Sequence, residues 1–180
     1  MARRTTATVA AVTALLLAAG AWFAVTRGSG TSSDPPCRVV AESKVYRLDR
    51  AQVANAVIIT DAARALGLPH HAVTVAVSAA LQESRLRNLP AGDRDSLGVF
   101  QQRPSQGWGT PAQILDPRLA SLAFLRALAR IDQWQTMPVT VAAQLVQRSA
   151  TPTAYARAEP EARAIARATT GELPRTLTCA

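Results

Sequence analysis

Glu83 stands in the tripeptide Gln82-Glu83-Ser84, near the end of an alanine-rich stretch, and Gly98-Val99-Phe100-Gln101 follows fifteen residues later. Wound at about 3.6 residues per turn, the stretch puts Ala72, Ala76, Ala79 and Ala80 on the same face as Glu83. Thr74, Ser78 and Arg85 fall on the opposite side. A carboxyl group set among alanines loses hydration, and its pKa rises. That is the condition for a general acid still protonated near neutral pH. Glu83 and Arg87 also stand four apart, in the orientation that favours an exposed ion pair. On the helix alone the ion pair is the preferred reading, and it is the following segment that favours the acid.

The segment after Glu83 adds further candidates. Asp93 and Asp95 lie in a Gly-Asp loop, ten and twelve residues beyond Glu83. They read first as turn-formers. The alternative is a second carboxylate that holds a water, as in an inverting glycosidase. Trp108, in Gln106-Gly107-Trp108-Gly109, is either a stacking platform for a sugar ring or a core anchor. Gln102 and Arg103 read as the rim of a groove. His70 and His71 are adjacent, so they point to different faces of a helix, and two cysteines without a histidine cluster make no zinc site. Neither a metal nor a cofactor is expected.

These residues need a scaffold, and the pattern predicts helices almost throughout. Asp49 to Leu66 is helical, with Gly67 as its stop, and His70 to Leu86 forms a second helix that is apolar nearly all round. Such a helix belongs at the centre of a domain. Thr110-Pro111 and Asp116-Pro117 read as N-caps followed by proline, the second opening a helix to Ile131. Another starts at Pro138-Val139-Thr140 and reaches about Gln147. Thr151-Pro152 opens a last helical region, broken or bent at Pro160. No stretch alternates as a strand does. The expectation is a mainly α domain with a long middle loop.

The chain ends frame that domain. Residues 7–25 carry no charge, Arg3 and Arg4 precede them and Arg27 closes the run. This length crosses a bilayer as a helix, with the C-terminal part exported. Ala19-Gly20-Ala21 offers a competing signal-peptide cleavage site, but the apolar run continues through Trp22 and Phe23, which favours an uncleaved anchor. The expected order is therefore an anchor or signal at 1–27, a Gly/Ser/Pro linker at 28–36 and one domain at 37–180. Beyond the anchor stand 17 basic and 12 acidic side chains, a net of +5. The charge is scattered and not interleaved with aromatics, which argues against a nucleic-acid groove and suits work near an anionic wall polymer. In an oxidising compartment Cys37 and Cys179 are expected to pair and tie the ends of the domain together. Closing so long a loop contributes about 5 kcal/mol in the chain-entropy account.

Glu83-Ser84, Gly98-Val99-Phe100-Gln101 and Pro104 together resemble the Glu-Ser, Gly-Leu-Met-Gln and Pro signature of the soluble lytic transglycosylases, in the lysozyme-like superfamily. Asp116-Pro117-Arg118-Leu119-Ala120 through Phe124-Leu125 is similar to the family's next helix, and the resemblance covers about residues 70–150. It implies a lysozyme-like helical fold, glycan strands of peptidoglycan as partner, and Glu83 as the acid and base that cleaves between N-acetylmuramic acid and N-acetylglucosamine. It implies a substrate-binding set of Ser84, Gly98, Val99, Phe100, Gln101 and Trp108. The chain departs from the pattern at the family's Ala-Tyr-Asn-Ala-Gly: Val146 stands at the tyrosine and Gln147 at the asparagine. Tyr155 is the nearby candidate to supply the missing hydroxyl. The alternatives are a non-catalytic peptidoglycan-binding module and a lysozyme-type hydrolase. A monomer is expected, held at the cell membrane by a single pass with its domain outside, or secreted if the segment is cleaved.

Overall fold

A computed structural model describes residues 36–148 and 153–180. The expected anchor and all of the linker except Pro36 lie outside the described residues, as do Thr151 and Pro152. No described helix is long and apolar enough to cross a membrane.

Six helices carry most of the domain: α1 (Arg50–Ala65), α2 (His70–Ser84), α3 (Pro111–Leu115), α4 (Pro117–Ala129), α5 (Val139–Gln147) and α6 (Glu159–Thr170). The mainly α expectation holds. Local chemistry explains most of the starts. Asp49 caps α1 in a reciprocal box with Gln52. Thr110 does the same for α3 with Gln113, and Asp116 accepts from the backbone of Arg118 and Leu119 at the start of α4. Pro160 lies in the first turn of α6, directly after a 3-10 turn at Ala156–Ala158, so the last helical region is broken beside it and α6 is not bent by it. A proline early in a helix forfeits only a donor that would have no partner there.

The absence of strands is overturned. β1 (Cys37–Ala41) and β2 (Lys44–Leu48) form a hairpin, and β3 (Leu177–Cys179) adds to β1 in the order β2-β1-β3. Inward Cys37 and Val39 alternate with outward Arg38 and Val40, but Val40 and its partner Val45 are valines facing solvent. Those two exposed valines hide the period that marks a strand. β3 has only three residues, and its partner lies at the other end of the domain. Cys37 and Cys179 face each other in that pairing and are disulfide-bonded.

α2 runs through the centre. From Ala72 to Leu81 every residue is buried, including Thr74 and Ser78 on the face expected to be polar. α6, α5 and α1 pack around it. Small side chains allow that close approach, and aromatics fill only a few sites, such as the stacked pair Phe100 and Phe124 at 4.6 Å. The helix ends where Arg85 and Leu86 both turn left-handed, two residues short of the expected Leu86 boundary. α1 fixes that end. Gln52 Nε2 donates to the Arg85 carbonyl and Asn55 Nδ2 to the Leu86 carbonyl, each at 2.7 Å. The last turn of α2, which carries Glu83, is therefore held by buried side-chain bonds from a second helix.

Candidate active site

Glu83 lines a cavity of about 500 Å³ with Asp93, Gln101, Gln106, Trp108 and Gln147. Its carboxyl is pushed above the ordinary carboxylate range by burial, and hydrogen bonds from Tyr155 and Gln147 pull part of the way back. The Tyr155 hydroxyl donates to Glu83 Oε1 at 2.8 Å. Tyr155 itself is fully buried. Its carbonyl accepts from Ser78 Oγ on α2 at 3.0 Å, so the helix that presents the carboxyl also fixes its partner. Val146 is buried and carries no hydroxyl, and Tyr155 supplies one from a different part of the chain.

Gln147 joins the two walls of the site. Besides its bond to the Glu83 carboxyl, its Nε2 donates to the Phe100 carbonyl at 2.8 Å. The exposed ion pair between Glu83 and Arg87 does not form: Arg87 reaches back to Asp49 at 2.6 Å. Glu83 is left with neutral partners, which keeps its proton affinity high.

The loop opposite Glu83 is anchored along its length. Leu97 and Gln102 exchange backbone bonds at 2.9 and 3.0 Å, and the Gly98 N–H donates to the Leu89 carbonyl at 2.8 Å. Gly98 has φ 76°, and a Cβ there would stand 2.5 Å from the Ile114 carbonyl oxygen. Its close approach is therefore to α3, not to the open groove. Gln101 sits in the left-handed region at φ 48°, and its Nε2 donates to the Gly98 carbonyl at 3.0 Å. Non-glycine residues held this way concentrate at functional sites. Ser84 is buried and its Oγ donates to the Val99 carbonyl at 2.6 Å, which ties the end of α2 to this loop.

The site residues expected from the sequence thus separate into layers. Glu83, Gln101, Trp108 and Gln147 line the groove. Ser84, Gly98, Val99 and Phe100 lie buried beneath it, and Tyr155 stands behind the carboxyl. Asp95 braces the loop: its Oδ1 accepts from Arg103 Nε at 2.5 Å and its Oδ2 from the Ser105 N–H at 2.9 Å. These bonds hold its carboxyl well below the usual carboxylate range. The Asp93 side chain is almost fully exposed at the groove edge.

Two participants were not anticipated. Ser78 was visible as a serine within an alanine stripe. Gln102, expected at the rim, is buried in the cavity lining, and among the described residues neither its amide oxygen nor its nitrogen has a hydrogen-bond partner. Among the described residues, no group of three His, Cys, Asp or Glu side chains gathers to hold a metal ion. Compared with protein-family models and with curated proteins, the sequence matches none.

Proposed function

We propose that this chain is a lytic transglycosylase of lysozyme-like fold that cleaves peptidoglycan between N-acetylmuramic acid and N-acetylglucosamine. The observation that carries the reading is the Glu83 carboxyl, buried enough to raise its pKa, facing a groove and held by the Tyr155 hydroxyl at 2.8 Å. Protonated Glu83 gives its proton to the glycosidic oxygen as the bond from that oxygen to the muramoyl C1 breaks. The resulting carboxylate takes the proton from the C6 hydroxyl of the same sugar. O6 then bonds to C1 and closes a 1,6-anhydro ring, and Glu83 ends protonated as it began. One carboxyl does both steps, so the bracing of Asp95 by Arg103 and Ser105 leaves the reaction complete. Tyr155 and Gln147 hold the charged form between the two transfers. Trp108 offers a face for a sugar ring. In this reading the domain works outside the cytoplasmic membrane, held by residues 7–25 or released after cleavage, and acts as a monomer.

The test is digestion of purified peptidoglycan by the full-length chain, wild type beside Glu83→Gln, with products separated by mass. Anhydromuropeptides from the wild type alone are expected. Products one water heavier would make the enzyme a hydrolase and turn attention to Asp93. No products from a folded, glycan-binding wild type would leave a binding module.

A further inference from the structure

The groove continues past Glu83. A second cavity of about 490 Å³ adjoins the first, sharing Gln106, Trp108 and Gln147 with it. Trp108 therefore stands where the two meet. The far part is lined by Arg130 and Arg148, and no acidic side chain lines it. Both arginines are exposed, and among the described residues neither forms an ion pair. The trough thus has Glu83, Asp93 and the Asp95-paired Arg103 at one end, and at the other two guanidinium groups without an ion-pair partner among the described residues.

Helix termini explain this only in part. Cations are favoured near helix C-termini, and Arg130 caps α4 while Arg148 caps α5. α4, however, already carries Arg126 in its last turn. Arg148 occupies a left-handed cap at φ 52°, where glycine or asparagine fits without strain. The backbone alone would not select arginine there. Guanidinium groups open to a groove bind carboxylates in a forked, two-bond geometry.

Resting on the reading of the Glu83 site given above, we propose that this arm of the trough binds the carboxylates of the peptide stem carried by the glycan strand. The chain then selects strands that bear stems over bare strands. Sugar rings occupy the groove at Glu83 and Trp108, and the stem leaves the strand towards Arg130 and Arg148.

The test is equilibrium binding to two soluble glycan oligomers that differ only in whether they carry peptide stems. The full-length chain with Glu83→Gln serves as parent, so that nothing is cleaved during the measurement. The stem-bearing oligomer is expected to bind about tenfold more tightly. Adding Arg130→Gln and Arg148→Gln should bring that ratio close to one, and lysine at both positions should keep part of it. The preference should also shrink as salt is raised. Equal affinity of the parent for both oligomers, or a preference that outlasts both arginines, overturns this inference and leaves the proposed function standing. If neither oligomer binds and the wild type cleaves no peptidoglycan, the proposed function fails and takes this inference with it. An anionic phosphodiester polymer that binds through the same arginines more tightly than the stem-bearing oligomer would make phosphate the ligand and also overturn it.

Discussion

Glu83 ends the central helix and Asp95 sits in the loop packed beside it, and their surroundings drive the two carboxyls in opposite directions. Burial with only neutral partners raises Glu83. The Ser105 side chain and backbone N–H, with the Arg103 guanidinium, lower Asp95. One carboxyl holds its proton more tightly than an ordinary glutamate does, and the other gives its proton up more readily and serves as a brace. Environments that separate the pKa values of two nearby acids are how one site assigns different roles to the same functional group. Here the separation comes from what each group touches: burial beside neutral donors at Glu83, hydrogen bonds from Ser105 and Arg103 at Asp95.

The comparison breaks most sharply if Glu83 is made unable to titrate. Glu83→Gln is expected to lower turnover by about a thousandfold or more, measured as anhydromuropeptide release, with circular dichroism unchanged. It should also alter stability in a pH-dependent way. A carboxyl whose folded pKa lies above its unfolded value costs stability as pH rises past the ordinary value of 4.5. Glutamine escapes that cost, so the Tm of Glu83→Gln should gain on wild type as pH rises past that ordinary value and level off once pH exceeds the raised folded pKa.

Tyr155→Phe sharpens the same contrast. The hydroxyl favours the charged carboxylate, so removing it raises the Glu83 pKa further. Activity that requires the protonated acid is lost as pH climbs through that pKa. The alkaline limb of the rate profile should therefore move to higher pH, with kcat at its optimum down about tenfold. An unmoved limb would detach Tyr155 from the chemistry.

Smaller effects test the loop. Gln102→Leu replaces a buried amide that has no protein partner, and should stabilise the fold by about 1 kcal/mol, read as a rise of about 3 °C in Tm. Reduced cleavage in that same variant would mark the amide as part of the groove's working surface. Asp95→Asn should give the mildest change. A depressed folded pKa means that the stabilisation is present above the ordinary value of 3.8 and fades as pH falls through the folded one. The Tm difference from wild type should hold above about pH 4 and close below it.

Much of this molecule was legible because the relevant signals are local. The capping residues Thr110 and Asp116, the stop near Gly67 and the apolar run of α2 all act within one or two turns. Glu83 was conspicuous for the same reason, as a carboxylate continuing an alanine stripe. The hairpin was missed because Val40 and Val45 face solvent, which removes the alternation that marks a strand. At Pro160 the sequence left a break and a bend both open, and the structure shows the break, because the proline stands in the first turn of α6.

The sequence by itself determined the helices, their caps, the position of Glu83 on α2 and the candidacy of Cys37 and Cys179 as a pair. Only the tertiary structure decided that Tyr155, seventy-two residues away, meets that carboxyl, that Arg87 turns from Glu83 to Asp49, and that β3 closes against β1. Periodicity and capping are set by neighbours along the chain, which any sequence displays. Desolvation and hydrogen bonding at Glu83 are set by neighbours across space, and those exist only once α2, the loop and the segment around Tyr155 have packed together.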